Sequence, residues 1–259
     1  MRIELLPIKT QLIKEDDDLV EILLHSVSLN GQTIRDGDII VIASTVVSLT
    51  EKRKKAINEV KISEKAKQLA ELHKTDPVLI QLIIDENAEI IGGPPGFLLT
   101  IWHGIPCINA CIDATNAPLG YYMLPPKDPM ASAHRIKEEI KSIVEKDVAI
   151  IIADSGVIPG KRGTIGIAIG FAGINPIKNY IGKKDLYGNV FRVTQQNIID
   201  LVASSAELLM GEADERIPFV IVRFEDTNIE FTQNVHLEDM LFPLDKCIFM
   251  SNILTKKRK

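Results

Sequence analysis

The sequence predicts a mixed α/β protein, and two observations support that prediction. The stretches 38–47 (DIIVIASTVV) and 148–155 (VAIIIADS) are nearly continuous in β-branched and apolar residues, as expected of strands covered on both faces. Amphipathic stretches such as 131–146 place apolar residues along one face of a helix. Alternating strands and helices of this kind favour a layered α/β arrangement.

The first predicted elements are a strand and a helix. Residues 2–8 suit a short strand. The acidic residues 16–18 precede the amphipathic run 19–27, where negative charge favours the start of a helix. Asn30 and Gly31 then mark a turn.

The section 62–90 is predicted to be helical. Ser63 can cap a first helix, and Thr75 with Pro77 two residues later suits the start of a second. The run GGPPG, residues 92–96, interrupts the helical pattern.

The remaining elements alternate between strands and helices. Two strands joined by His103-Gly104 are predicted to form a hairpin, 97–102 and 105–112. After the helix 131–146, the sequence predicts strands at 148–155, 164–174 and 219–224, with a helix over 195–210 and a loop over 211–218.

Two predicted strands end in an acid followed by small polar residues: IDATN, residues 112–116, and ADS, residues 153–155. In layered α/β structures the carboxyl ends of strands collect ligands, and Mg²⁺ or Mn²⁺ takes carboxylate oxygens. Asp113 and Asp154 are therefore candidate metal ligands. The alternative is ordinary turn chemistry, in which Asp bonds its own backbone.

Two glycine-rich stretches fail the tests for nucleotide-binding motifs. In GVIPGKRGT, residues 156–164, three residues separate the first two glycines, and Arg162 follows Lys161 where a P-loop has Ser or Thr. GIAIGFAG, residues 166–173, lacks the dinucleotide spacing and is interpreted as close packing. Lys161 and Arg162 can still hold phosphate oxygens. The alternative is a solvated basic loop.

Composition and motif spacing count against several classes of protein. The net charge of −5 provides no overall basic field for a nucleic acid. Three cysteines do not make a disulfide framework, which favours a cytoplasmic protein. No apolar stretch approaches the roughly 20 residues of a membrane span. The five histidines lack the spacing of a zinc site, and there is no Gly-x-Ser-x-Gly motif.

Six ordered motifs together resemble the coenzyme F420:L-glutamate ligases, also called F420-0 gamma-glutamyl ligases. They are STVVSLTEKR (44–53), INACIDATNA (108–117), LPPKDPMASA (124–133), IADSGVIPGKRGTIGIAIG (152–170), IGKKDLYG (181–188) and LLMGEADERIP (208–218). The resemblance implies a mixed-sheet α+β fold particular to that family, neither Rossmann nor P-loop.

The resemblance covers roughly residues 1–225, which we predict to form a ligase-like domain of one or two subdomains. Residues 226–259 are predicted to be a C-terminal extension that packs on this domain and has a disordered basic end. The resemblance further implies a homodimer.

The resemblance implies a GTP-dependent ligase that joins L-glutamate to the phospholactyl carboxylate of a deazaflavin precursor through an acyl phosphate. It implies two divalent ions, Mg²⁺ or Mn²⁺, and K⁺. Carried over by position, the implied metal ligands are Asp113, Asp154, Ser155 and Glu212. The implied nucleotide contacts are Leu12, Ser44, Thr45 and Asn116, with Lys161 and Arg162 near a basic position of the family.

Two departures from the family pattern remove positive charge. Leu49 stands where the family has Lys, and Ile158 stands where it has Arg. Three functions therefore stay open at this point: the GTP-dependent glutamate ligase, a divergent paralogue with another acid, amine or nucleotide, and a non-catalytic nucleotide- or deazaflavin-binding protein. For Glu212, the alternative to a metal ligand is a surface loop.

Overall fold

The structure of this protein is a computed structural model that describes residues 2–225 and 229–257, with side chains as far as residue 254. The predicted disordered end includes Arg258 and Lys259, which lie outside the described residues. The chain divides into two compact units, Met1–Thr50 with Asp128–Met240 and Glu51–Lys127 with Leu241–Lys259. The predicted boundary near residue 225 stays a prediction.

The described secondary structure alternates along the chain as the sequence predicts. The strands are β1 (Arg2–Ile8), β2 (Ile39–Ala43), β3 (Lys54–Ala56), β4 (Glu89–Gly92), β5 (Leu99–Trp102), β6 (Ile105–Ile108), β7 (Tyr121–Met123), β8 (Ala149–Val157), β9 (Thr164–Ala172), β10 (Ile177–Asn179), β11 (Gln195–Asn197) and β12 (Phe219–Glu225). The α-helices are α1 (Leu19–Leu29), α2 (Ser44–Thr50), α3 (Glu64–His73), α4 (Pro77–Asp85), α5 (Pro129–Val144), α6 (Ile198–Met210) and α7 (Met250–Lys257). None of these helices has both the length and the apolar character that crossing a membrane requires.

The first unit is built on a mixed five-stranded sheet with the strand order β1-β12-β2-β8-β9. β2 and β8 are parallel, and the other neighbouring pairs are antiparallel. The prediction of a mixed α/β fold is confirmed.

Both faces of the central strands are covered. All side chains from Ile39 to Ile42 are fully buried, as a continuous apolar strand requires. On one face, alternate strand residues pack against α6: Ile39, Val41, Ala149, Ile151, Val220 and Val222 against Ile199, Val202, Ala203 and Ala206. α5 packs on β8 and β9.

The glycines of β9 permit close packing of helices, as predicted. A Cβ on Gly166 would lie 2.6 Å from the carbonyl oxygen of Ala203 in α6. A Cβ on Gly170 would lie 2.5 Å from the backbone of Pro129, at the start of α5. Neither position has room for a side chain, so these glycines set the distance between helix and strand.

The second unit contains α3, α4, a three-stranded sheet β4-β5-β6 and a two-stranded sheet β3-β7. Ser63 caps α3 by accepting a hydrogen bond from the amide of Ala66, as predicted. β5 and β6 form the predicted hairpin, with positive φ angles at His103 and Gly104.

Two predicted elements end earlier than the apolar pattern indicates. The strand predicted over 38–47 ends at Ala43 and α2 follows, because a short apolar run does not by itself distinguish strand from helix. The helical section predicted to 90 ends at Asp85, since Asn87 takes a φ of 56° and the chain continues as β4. The cap of α4 is Asp76 rather than Thr75.

Three further boundaries differ near the candidate residues. The strand predicted over 105–112 ends at Ile108, because the next three residues have left-handed backbone angles. The strand predicted over 148–155 continues to Val157, so Asp154 lies inside it and not at its end. The helix predicted from 195 begins at Ile198, because residues 195–197 pair with β10 and Asn197 caps the helix.

Candidate functional site

Asp154 and Ser155 are held by the β8–β9 ladder of the first unit. The register of this ladder shifts between Ile152 and Ala153, directly before Asp154. Such bulges redirect side chains and are common next to functional sites. Because successive strand residues point to opposite faces, Asp154 and Ser155 face opposite sides of the sheet.

On one face, Asp154 is paired with Ser44. The register of the parallel strands aligns Ala43 with Ala153, so the residues that follow are neighbours. The hydroxyl of Ser44 donates to Oδ1 of Asp154 at 3.0 Å, and Ser44 is buried. Thr45, the next residue of α2, is half-buried. The structure therefore brings together two of the predicted nucleotide and metal residues, Ser44 and Asp154.

On the other face, Ser155 meets two glutamates. Its hydroxyl lies 3.4 Å from Oε1 of Glu207, and 3.3 and 3.1 Å from the two carboxylate oxygens of Glu212. The hydroxyl of Thr164, which lies on β9 and pairs with Val157, donates to Oε1 of Glu212. Ser155, Thr164, Glu207 and Glu212 thus form one cluster, here called the Glu207–Glu212 cluster.

The two glutamates of this cluster have different proton affinities. The pKa of Glu207 is raised from 4.5 to about 8, first by burial and then by the nearby Glu212 carboxylate, with a smaller contribution from the charge of Asp154. The hydrogen bond from the Ser155 hydroxyl opposes this rise. For Glu212, burial raises the pKa, but hydrogen bonds from Thr164, Glu207 and Ser155 outweigh burial and hold the pKa below its ordinary value.

The cluster has more acceptors than donors, which suits a cation. Three hydrogens, those of the Ser155 and Thr164 hydroxyls and the proton that Glu207 holds below about pH 8, face four carboxylate oxygens. Among the described residues, the geometry gives Oε2 of Glu207 no hydrogen-bond partner other than a proton shared with Glu212. Hard cations such as Mg²⁺ take oxygen ligands of this kind.

The described residues include no group of three or more His, Cys, Asp or Glu side chains that could hold a metal ion alone. An ion at the Glu207–Glu212 cluster would therefore take further oxygens from hydroxyls, water or substrate phosphates, as Mg²⁺ commonly does.

Sequence reasoning missed Glu207 and Thr164. One signal was available for Glu207. This acid lies in the last turn of α6, where the partial negative charge of the helix C-terminus is unfavourable for a carboxylate, so a compensating interaction is expected. Thr164 carries no comparable signal, since its role depends on the pairing of Thr164 with Val157 across the β8–β9 hairpin.

Asp113 and Asn116 belong to the second unit and are exposed. Oδ1 of Asp113 accepts from the amide of Thr115 at 2.9 Å, and Oδ2 accepts from the Thr115 hydroxyl. Asn116 has a φ of 52°. The turn chemistry considered for Asp113 is thus present, and it leaves further lone pairs on both carboxylate oxygens.

The basic residues and Leu12 lie on exposed loops of the first unit. Lys161 and Arg162 are exposed in the loop that joins β8 to β9, the two strands that carry Ser155 and Thr164. Leu12 is 74% exposed in the loop between β1 and α1.

Comparison with known proteins identifies the class of protein. A model of the family described as F420-0:Gamma-glutamyl ligase matches residues 7–223. The chain belongs to this ligase family, and the resemblance found in the sequence is confirmed.

Several named relatives are similar over nearly their whole length. The coenzyme F420:L-glutamate ligase of Archaeoglobus fulgidus is 38% identical over 224 residues, which are 86% of this chain and 88% of the relative. The enzyme of the same name from Methanopyrus kandleri is 38% identical, covering 86% of each chain. That from Methanocaldococcus jannaschii is 39% identical over 217 residues, 83% of this chain and 86% of the relative.

Proposed function

We propose that this protein is a coenzyme F420:L-glutamate ligase, which joins L-glutamate to the phospholactyl carboxylate of a deazaflavin precursor at the expense of GTP. The observation that carries the proposal is the Glu207–Glu212 cluster, whose carboxylate and hydroxyl oxygens suit a cation, in a chain that belongs to the ligase family. The relatives named above supply the substrate class.

We assign the two proposed ions to the two faces of β8. Asp154 and Ser155 face opposite sides of the sheet, so one ion would use Asp154 and the other would use Ser155, Glu207 and Glu212. The family resemblance gives Asp113, in the second unit, the same kind of role. When bound, Mg²⁺ or Mn²⁺ neutralises charge on the transferring phosphoryl group and orients it.

The nucleotide contacts proposed here are hydroxyls, an amide and two cations. Ser44 and Thr45 begin α2 beside Asp154, and Lys161 with Arg162 occupies the adjoining hairpin loop, where both can hold phosphate oxygens. Asn116 and the segment around Leu12 complete the proposed set.

The proposed reaction has two balanced steps. A carboxylate oxygen of the precursor attacks the γ-phosphorus of GTP, which forms an acyl phosphate and releases GDP. The amine of L-glutamate then attacks the acyl carbon, an amide bond forms, inorganic phosphate leaves and the amine loses a proton.

A second candidate function is favoured by two apolar residues. Leu49 is half-buried in α2, and Ile158 is half-buried directly after β8, each where the family has a cation. Fewer cations near a triphosphate suit a paralogue that uses another nucleotide or joins a different acid and amine. A protein that only binds a nucleotide or a deazaflavin does not need the Glu207–Glu212 cluster for catalysis. Because the cluster is present, the two catalytic functions are favoured over binding without turnover.

The test is a ligation assay with purified protein, GTP, Mn²⁺, KCl, L-glutamate and the unglutamylated deazaflavin. We expect a mass increase of one or more glutamates and release of GDP. Exchange of GTP for ATP, and of glutamate for aspartate or glutamine, separates the ligase from the paralogue. No product with any pair, together with no nucleotide binding by calorimetry, would overturn both catalytic functions.

Potassium dependence, a homodimer and a cytoplasmic location belong to the same proposal. Replacing KCl by NaCl or choline chloride in the ligation assay tests the first. Analytical ultracentrifugation of the full chain tests the second, and fractionation of the source cells tests the third.

A further inference from the structure

The chain reaches Asp113 through three consecutive residues with left-handed backbone angles. Asn109, Ala110 and Cys111 have φ angles of 49°, 57° and 59°. Asn tolerates this conformation, but Ala and Cys are crowded by their Cβ atoms, and runs of left-handed residues are rare. This segment, residues 109–111, is here called the left-handed turn.

The left-handed turn redirects the chain inside the second unit. β6 ends at Ile108, and after the turn Ile112 returns to an extended conformation and is buried. Asp113 then pairs with Met123 of β7: the Asp113 amide donates to the Met123 carbonyl at 3.0 Å, and the Met123 amide donates back at 2.8 Å. The turn therefore carries the chain from one sheet to the edge of another.

The side chain of Asn109 fixes the start of the turn. Its Oδ1 accepts from the amide of Leu98 at 2.9 Å, and its Nδ2 donates to the carbonyl of Gly96 at 2.9 Å. The main-chain amide of Asn109 also donates to the Leu98 carbonyl, at 2.8 Å. Asn109 is buried, so these bonds are shielded from competition with water.

The hydroxyl of Thr100 fixes the middle of the turn. It accepts from the amide of Ala110 at 2.8 Å and donates to the carbonyl of Cys107 at 2.9 Å. Thr100 is fully buried. Without this oxygen, the Ala110 amide would be buried without a partner, which is unfavourable. Two side chains thus hold a strained backbone in one conformation, an arrangement that occurs mostly at functional sites.

We propose that Asn109 and Thr100 are positioning residues for Asp113: their buried hydrogen bonds hold the left-handed turn, and the turn sets where the Asp113 carboxylate and the Asn116 carboxamide are presented. The inference rests on the proposed function, in which Asp113 binds a divalent ion. Neither residue touches the reacting atoms.

The test compares four variants in the full chain. Thr100→Val removes the hydroxyl at nearly constant shape, and Thr100→Ser restores it. Asn109→Gly permits the left-handed φ but removes the side-chain hydrogen bonds. Gln81→Leu is the matched control: Gln81 is buried in the same unit and bonds Ser63 and Asp85, but not the turn.

Two readouts separate positioning from general stability. Mn²⁺ affinity is measured by calorimetry at a temperature where every variant is folded, and hydrogen exchange is measured for a peptide that spans residues 109–123. We expect Thr100→Val and Asn109→Gly to bind Mn²⁺ roughly 10- to 100-fold more weakly, the range seen when residues that hold a metal ligand in place are changed. Exchange at the Asp113 and Met123 amides should be faster. Thr100→Ser and Gln81→Leu should keep both properties.

Wild-type Mn²⁺ affinity or wild-type exchange in both Thr100→Val and Asn109→Gly would overturn the positioning role. Asp113→Asn is measured alongside. If Asp113→Asn loses Mn²⁺ affinity while the two turn variants keep it, only the positioning role fails. If Asp113→Asn keeps the affinity, the proposed metal role of Asp113 fails and the positioning role fails with it.

Discussion

Asp154 in the first unit and Asp113 in the second are both candidate metal-binding carboxylates, but they are held by different means. Asp154 lies within β8, next to residues paired with β2 on one side and β9 on the other. Asp113 follows a strained turn and, within the described residues, its main chain forms a single β-bridge, with Met123. Main-chain pairing on both sides of β8, with a bulge before Ala153, positions Asp154, whereas single side chains position Asp113.

This difference predicts where single substitutions act. Around Asp154 and Ser155, the main chain tolerates loss of a neighbouring side chain, so effects should come from the ligands themselves or from the packing of helix on strand. Around Asp113, effects should come from residues that never meet the ion. The following experiments test this contrast, from the largest expected effect to the smallest.

Glu207→Gln should weaken Mn²⁺ binding at the Glu207–Glu212 cluster by roughly 10- to 100-fold or more, because it removes a negative oxygen ligand. Calorimetry measures the affinity. The matched control is Asp200→Asn on the same helix. The Asp200 carboxylate accepts a hydrogen bond from the amide of Ala168 and is not part of the Glu207–Glu212 cluster. Equal affinity in Glu207→Gln and wild type would remove Glu207 from the proposed site.

Gly166→Ala should lower the free energy of unfolding by about 1–3 kcal/mol, the usual cost of overpacking. Its Cβ would lie 2.6 Å from both the Ala203 carbonyl and Oε2 of Glu207. Gly170→Ala should lower the free energy of unfolding by a similar amount, because its Cβ would lie 2.5 Å from the backbone of Pro129.

Chemical denaturation measures the loss of unfolding free energy in Gly166→Ala and Gly170→Ala. Mn²⁺ titration then distinguishes the two variants. Only Gly166→Ala should also impair metal binding, because only its Cβ meets Glu207. Impaired binding in both variants would show that the site responds to general loss of packing.

Stability should fall as pH rises through the window between 4.5 and about 8, where the folded protein holds a proton on Glu207 that the unfolded chain releases. The stabilisation that protonated Glu207 contributes is complete below pH 4.5 and is lost as the pH rises through about 8, because the pKa of Glu207 is raised in the folded state. Melting temperatures of metal-free protein from pH 5 to 9 measure the slope. Glu207→Gln should flatten it, and an unchanged slope would assign the pH dependence to other groups.

Cys111→Gly should raise the free energy of unfolding by about 0–1.5 kcal/mol. A left-handed conformation costs a non-glycine residue roughly 1–2 kcal/mol, while glycine adds about 0.5–1 kcal/mol of chain entropy to the unfolded state. Asn109→Gly in the same turn should lower stability instead, because it removes two buried hydrogen bonds. Urea unfolding of both variants checks the sign, and destabilisation by Cys111→Gly would show that the turn carries little strain.

Part of the candidate site was predictable because it lies in contiguous motifs. Asp154, Ser155 and Glu212 were predicted as metal ligands from their motifs, and the structure brings Ser155 and Glu212 together. Their role as metal ligands stays a prediction. Glu207 was missed because its importance depends on which face of α6 meets β9. The left-handed turn was missed because an apolar run that includes Ala110 and Cys111 is typical of a strand. The left-handed conformation depends instead on hydrogen bonds to buried side chains.

By itself, the sequence determined the class of fold, most of the strands and helices, the family and the types of residue available for cation binding. These features depend on local pattern and on ordered motifs. Only the tertiary structure decided that Asp154 and Ser155 face opposite sides of a sheet, that Glu207 joins Glu212, and that Asn109 and Thr100 hold the turn before Asp113. Those facts depend on contacts between residues distant in the chain, and no local pattern encodes the register of strands or the burial of a single oxygen.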